Sequence, residues 1–468
     1  MNAVYRDNEE VFRQFNRYSG NAKSLVRKAL TSVTNVGEAL IPQKLEQVIT
    51  NTVLYLLPEM AVINPEFDNQ KLHEFNRLIK LPKQGGAMGE GGRTPTRNAQ
   101  YSRDGVRMKV VRRKGAVTNF LQDTSQKYLD AAATEMENHL YAHVLDLVGY
   151  MYYGNSTANP YEFSGLDHFI NGQKNRVNKV AGGEVPTSLK FLDDMIDNNT
   201  RKQGAHHRKC FLMSPEMLSK VSRLLENVRI IQGLNGAGLT QIEIAGGWRL
   251  NAYRNIPIIE STYTRPVEQM GNIAVTKVDT GVIPTGTYYF EVTPVTYNGE
   301  QLASTVQSIT VPAGGAASIS IGFTPHEGAF QYRIYVGTTA TNGTLKAITS
   351  AFQYDVDGTI IGDINSYTFT SNPLTAGLEV TGTMANDVPP RATGGVAPEN
   401  IYLWDLDKIQ GLGKFAYTNT AGSKFQGLVT VQDIYPDDDY LPFLVKTYGA
   451  LVPSFSDSSS IVRGLRVE

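Results

Sequence analysis

The chain of 468 residues contains one cysteine, Cys210, so no intrachain disulfide can form and stability must come from packing or assembly. Charge of one sign is also missing. The 44 Lys+Arg residues stand against 45 Asp+Glu, and a general nucleic-acid coat would need a large basic excess. Long apolar runs are absent too: "VLYLLPEMAVI" (53–63) is too short and interrupted to span a bilayer. The opening "MNAVYRDNEEVFRQF" has no apolar stretch of a signal peptide, so synthesis and function are expected to begin in a cytosol, with no membrane as partner. Enzyme signatures are lacking as well. There is no Gly-x-Ser-x-Gly elbow and no Cys-x-x-Cys.

What is present divides into two textures. Residues 1 to about 265 mix charged, helix-compatible stretches with loops, and that texture returns after Pro398 with "ENIYLWDLDKIQG". Between them Thr, Val, Tyr, Gly and Ser dominate, and turn signals recur about every ten residues. In "GTYYFEVTPVTYNGE", Tyr288, Phe290 and Val292 fall on one face of a strand; Ile319, Ile321 and Phe323 repeat this, as do Tyr332, Ile334 and Val336. "YNGE" and "TNGT" supply asparagine-glycine turns. An all-β insert of immunoglobulin-like sandwich type is expected within a host domain, since its termini can lie close together. The run "GTYYFEVTPVTYNGEQLAS" resembles the strand–loop–strand centre of fibronectin type III and bacterial immunoglobulin-like modules.

In the host, residues 123–152 read as a long amphipathic helix. Asp123 with Gln126 resembles a capping box, and Leu129, Ala132, Met136, Leu140, Val144, Leu147 and Met151 form the apolar stripe. Before it lies a glycine-rich piece, "QGGAMGEGGRTPTRNAQYSR" (84–103). Between Arg77 and Lys114 there are eleven Lys/Arg against Glu90 and Asp104. Glycines beside cations suggest phosphate binding, but no Gly-Lys-Ser/Thr follows and no helix comes next. The piece reads as a long hairpin. Such a hairpin cannot fold on itself and is expected to lie across a neighbouring subunit. Its Lys80, Lys83, Arg93, Arg97 and Arg103 are the candidate contacts, and Asp437, Asp438 and Asp439 in "YPDDDY" are a candidate acidic counterpart.

Other polar constellations read as structural. His139 and His143 share a helical face with i, i+4 spacing, but Leu140 stands where a metalloprotease has glutamate, so histidines packed between helix and sheet are expected. "HHRK" (206–209) reads as a surface turn and Cys210 as a core residue. "YPDDDY" could attract a divalent cation through hard carboxylates, yet reads better as an exposed acidic turn. Tyr289, Tyr297 and Tyr335 would make a glycan- or receptor-binding face if they cluster. No catalytic residue, metal ligand or cofactor is expected.

The order of elements resembles the HK97-type major capsid protein of tailed bacteriophages, an α+β fold. The resemblance rests on a polar arm, a long basic loop and a long helix, followed by "CFLMSPEMLSKVSRLLENVR", "GGWRLNAYRNIPIIES" and "IYLWDLDKIQGLG". It implies an N-terminal arm (1–40), a P-domain (41–76 and 115–190) with its spine helix, and an extended E-loop (77–114). It further implies an A-domain (191–265 and 398–420), the β-insert (266–397) and returning strands shared between P- and A-domains (421–468). The implied function is self-assembly into hexamers and pentamers of an icosahedral head shell. Its partners would be further copies of itself, a separate scaffolding protein, a portal, possible decoration proteins and loosely held double-stranded DNA. The insert is expected to project outward, to be removable without loss of assembly, and to be where a glycan or cell-surface ligand would bind. An encapsulin-like compartment shell and, in a different class, a surface adhesin are the alternatives.

Overall fold

A computed structural model of the chain describes residues 59–468 apart from 84–85, 88, 94–95, 126–129, 172–174, 179–183, 202–206, 233–239, 245–247, 314–316, 376–381, 393, 410, 419–427 and 435–438. The arm expected over 1–40 therefore lies outside the described residues, as do Gln126, Leu129, His206, Asp437 and Asp438.

The long helix runs from Ala131 to Tyr153 and starts later than its apolar spacing suggests. A separate short helix, Asn119–Ser125, precedes it. The N-cap is Asp130, not Asp123: its carboxylate accepts from the Ala133 amide at 3.1 Å. Gln122 reaches across to accept from the Ala132 amide and to donate to Asp130, both at 2.9 Å. At the other end Gly154 lets the chain reverse tightly. A Cβ there would meet the Phe163 carbonyl at 2.2 Å.

This helix has two different halves. Its first half lies over a five-stranded sheet built around the long strand Tyr440–Val452, which pairs with Lys109–Thr118 from Tyr440↔Thr118 to Gly449↔Lys109. There Met136 packs against Val431, Phe443 and Val445, while Leu140, expected in the stripe, is 37% exposed. The second half is buried on nearly every side, with Leu147, Val148, Met151, Tyr152 and Tyr153 all inside. That explains why no single stripe describes it.

The second half packs on a seven-stranded sheet with the order Arg176–Asn178, Ser460–Leu465, Glu399–Asp405, Lys209–Met213, Ile256–Glu260, Trp248–Tyr253, Thr240–Ile244. Strand alternation divides its side chains between two cores. Cys210, Leu212, Tyr402, Trp404 and Ile461 join the long helix. Phe211, Met213, Ile401, Leu403 and Val462 face the helices Lys190–Arg201 and Pro215–Gln232, through Leu192, Met195, Met217 and Val221. Cys210 is thus a core residue, as its place in "CFLM" implies.

Between Ile273 and Phe369 the described elements are all strands. A three-stranded sheet (Ile273–Val278, Ser318–Phe323, Ser366–Phe369) faces a sheet built on Gly286–Thr296 and Gln331–Gly337. Tyr288, Phe290, Val292, Ile319, Ile321, Phe323, Tyr332, Ile334 and Val336 share the core between them, on the faces that alternation assigns. The opposite faces are not solvated, however. Glu291, Thr293, Arg333 and Tyr335 are each no more than 3% exposed. That side packs against the rest of the chain, so the two strands are buried on both faces.

Candidate assembly interface

The basic piece forms a hairpin of Leu72–Lys80 with Gln100–Arg107, paired to each other and, among the described residues, to no further strand. Its base is fixed. His73 is buried, with Nδ1 2.6 Å from Asp68 Oδ2. Phe75 packs on Met108, Ala416 and Val452. Arg77 donates to the Pro453 carbonyl, lies 3.2 Å from Asp104 and sits over the Phe75 ring. Leu78 (52%), Ile79 (58%), Leu81 (74%) and Tyr101 (73%) are exposed large apolar residues on strand ends and tip. Gly86, Gly89 and Gly91 have nothing within 4 Å of where a Cβ would stand, and Gly86 and Gly91 take positive φ, which glycine tolerates.

Lys80, Lys83, Arg93, Arg97 and Arg103 are all exposed on this hairpin. Arg103 makes only local contacts, to Asn76 Oδ1 at 3.3 Å and Glu74 at 3.8 Å. The remaining cations of the segment are used differently. Arg113 turns inward, donating to Asp146 at 2.5 and 3.0 Å and to the Tyr297 hydroxyl at 2.7 Å. Lys109 donates to the Pro160 carbonyl at 2.5 Å. Of the acidic counterpart, Asp439 is described. It is exposed, and its carboxylate accepts from the Asn119 side chain at 2.5 Å.

The constellations weighed as rival chemistry find structural partners. His143 is fully buried, its Nε2 2.8 Å from Thr447 Oγ1. Burial, helped by the Arg113 charge and opposed by Asp146, lowers its pKa to about 4. His139 sits edge-on to Phe443. His207 pairs with Asp405 at 2.6 Å. Among the described residues no group of three His, Cys, Asp or Glu is arranged to hold a metal ion, and no helix is long and apolar enough to cross a membrane. The tyrosines do not form an open face. Tyr335 is buried and donates to Glu300; Tyr297, half-buried against the core, donates to Asp146 at 2.8 Å; Tyr289 is half-exposed. The tyrosine glycan face is therefore withdrawn: two of its three members face the interior.

A further polar site joins residues far apart in sequence. Asp167, Arg176, Asp387, Arg463, Glu300 and Arg333 close a buried ring of alternating charge, none more than 6% exposed. Arg176 Nη1 lies 2.9 Å from Asp167, and Arg176 also donates to Asp387. Arg463 joins Asp387 to Glu300, the latter at 2.5 Å. Arg333 closes the ring, 2.9 Å from Glu300 and 2.5 Å from Asp167. Burial resists ionisation of Asp167 and Asp387, but the surrounding guanidinium groups outweigh it and hold both carboxyls below the usual range. Three positive and three negative groups leave the ring neutral. Glu300, Arg333 and Asp387 fall within 266–397, the other three outside it. The pairs Arg176–Asp387, Arg463–Asp387, Arg463–Glu300 and Arg333–Asp167 therefore cross the borders of 266–397, and a cleanly removable insert is no longer expected.

No family model matches the chain, and no curated protein does. Solved structures do. The capsid of cyanophage A-1(L) is 12% identical with a TM-score of 0.48, over 92% of this chain and 99% of that one. The capsid of Myoviridae phage XM1 is 9% identical with a TM-score of 0.45, over 93% and 100%. The holo-SrpI encapsulin complex from Synechococcus elongatus is 10% identical with a TM-score of 0.43, over 94% and 97%. The structures similar to this chain thus include phage capsids and an encapsulin.

Proposed function

We propose that the chain is a structural shell subunit of HK97 type that acts by geometry rather than catalysis. One observation carries this reading: a hairpin fixed at its base extends apolar and cationic side chains that its own chain leaves exposed. An isolated two-stranded ribbon is marginal in water, so ordering it needs a surface outside the subunit. Lys83, Arg93, Arg97 and Arg103 supply contacts to a neighbouring copy, and many such weak contacts add up to a closed container. In finer detail, the shell encloses phage double-stranded DNA, held loosely because the chain is nearly neutral. The segment 266–397 is an immunoglobulin-like domain on the outer surface, welded to the subunit by the ionic ring. Scaffolding and portal proteins complete the assembly.

Negative-stain electron microscopy of the expressed protein, with and without a scaffolding protein, tests the reading. Closed shells or regular rings are expected. The quadruple variant Lys83→Gln, Arg93→Gln, Arg97→Gln, Arg103→Gln should form neither while keeping its circular dichroism. A wild-type chain that stays monomeric under every condition, or normal shells from the variant, would overturn it. Nuclease-protected DNA inside the shells marks a virus head, and a protein cargo marks an encapsulin-like compartment.

A further inference from the structure

The charges of the hairpin have an opposite elsewhere in the chain. From Ala347 to Pro390 there is no Lys or Arg, while Asp355, Asp357, Asp363, Glu379 and Asp387 fall in that span. Asp387 belongs to the buried ring. Asp355, Asp357 and Asp363 instead sit, exposed, on a second small hairpin, Phe352–Tyr354 with Ile360–Asp363, which among the described residues pairs with no other strand. Its apolar residues are exposed too: Val356 (100%), Ile360 (54%) and Ile361 (65%).

This second hairpin is rigidly presented. Asp355 Oδ1 accepts from the amides of Asp357 at 3.0 Å and Thr359 at 2.7 Å, which fixes the turn. Gly358 has φ +79°, and a Cβ there would strike the Tyr161 ring at 2.5 Å. Tyr354 lies against Tyr161, with ring centroids 4.8 Å apart. A fixed knob, acidic and apolar, matches an arm that is basic and apolar. The arm cannot fold back onto its own knob. Lys109, at the arm's base, is bonded to Pro160 beside Tyr161, and the paired strands carry Lys80 roughly 25 Å beyond that base at about 3.3 Å per residue.

We propose that the acidic hairpin Phe352–Asp363 of one copy is the docking site for the basic hairpin tip of a second copy. Leu81 and Ile79 would meet Val356 and Ile361 while Lys80 and Lys83 face Asp357 and Asp363. The proposal rests on the shell reading above and adds its contact surface. It competes with the turn at Asp437–Asp439, whose Asp439 is already bonded to Asn119.

The test is cysteine crosslinking of assembled full-length chains. A Leu81→Cys, Val356→Cys double variant treated with a short bismaleimide should give a ladder of linked chains, at yields roughly tenfold above either single variant. Cys210 is buried and stays silent. Charge reversal gives the second measurement and leaves Asp355, which holds the turn, in place. Lys80→Glu with Lys83→Glu, or Asp357→Lys with Asp363→Lys, should each lower assembly roughly tenfold, and all four together should restore it. Shells in which Leu81→Cys links to Asp439→Cys and not to Val356→Cys, with no rescue by the combined reversal, would overturn this docking site alone. A wild-type chain that never assembles would overturn the shell reading as well.

Discussion

Arginines in the hairpin and arginines in the buried ring differ in surroundings, not in chemistry. Arg103 has 68% of its side chain in water and meets Glu74 at 3.8 Å, whereas Arg176 and Arg333 are at most 1% exposed and each touches two carboxylates. An exposed pair is worth at most about 1 kcal/mol, because water and salt screen it and the side chains lose freedom. A buried ion is different: its hydration has already been lost, so each partner removed leaves an uncompensated charge. The hairpin therefore keeps its charge available to another molecule, while the ring spends its charge holding one subunit together. Reach in the first region and specificity of packing in the second are two uses of the same residue type.

The largest break in that comparison is removal of residues 266–397. It deletes half of the ring together with Val295 and Phe330, which pack in the host core around Tyr153 and Tyr263. The excised chain is expected to be insoluble, as judged by gel filtration after expression. Next comes a single break. Asp387→Ala leaves Arg176 with Asp167 and Arg463 with Glu300 as their remaining ring carboxylates, so one buried positive charge goes uncompensated, and it should cost about 3–5 kcal/mol in chemical denaturation. An Arg103→Gln change on the hairpin should stay within about 0.5 kcal/mol.

Why the hairpin was legible and the ring was not follows from these residues. The hairpin declares itself through local composition: clustered glycines, seven cations from Arg77 to Arg107 and no apolar alternation to bury it. The ring assembles side chains from six separate segments, between Asp167 and Arg463. Each looks ordinary in its own stretch. Arg333 falls on the polar alternate of "YRIYV", and a polar alternate is read as solvent-facing unless something else is known to cover it. Similarly, the helix start was misplaced because Asp123 and Asp130 are both credible caps, and only Gln122 folding back onto Asp130 decides between them. The inward faces of the strands between Ile273 and Phe369 follow from period-two patterns, and the burial of Cys210 from the unbroken apolar run "CFLM".

A smaller effect uses pH to load the interior. The ordinary histidine value of 6.5 falls to about 4 at His143, which faces Thr447, Asp146 and Arg113. Between those values the unfolded chain takes up a proton that the folded chain refuses. Stability from this group is therefore complete above about pH 6.5 and lost as pH falls toward 4, by up to about 3 kcal/mol. Burial acts oppositely on Glu162 and Glu399, each raised to about 7. Their contribution is complete below 4.5 and falls as pH rises through 7. Denaturation at pH 7 and pH 5 should show a less favourable change on acidification in the wild type than in His143→Gln, because Glu162 and Glu399 act alike in both; equal changes would remove His143 from the account.

Smaller still is the cap. Asp130→Ala frees the Ala133 amide, so hydrogen exchange there should rise several-fold while the ring and the sheets keep their protection. A drop as large as that of Asp387→Ala would mean that the helix start, and not the ring, secures the interior.

The smallest effect on the fold is expected where the largest effect on assembly lies. Neutralising Lys83, Arg93, Arg97 and Arg103 removes four exposed cations; the first three lie beyond the hairpin's anchored base, which depends on His73, Phe75 and Arg77, and Arg103 stands on that base opposite Asn76 with its side chain in water. Because none of the four holds the interior, Tm should change by no more than about 1 °C. Loss of shells at unchanged Tm would separate the two uses of arginine within one molecule. A Tm that falls together with assembly would mean that the hairpin is part of the fold, and the contrast with the ring would collapse.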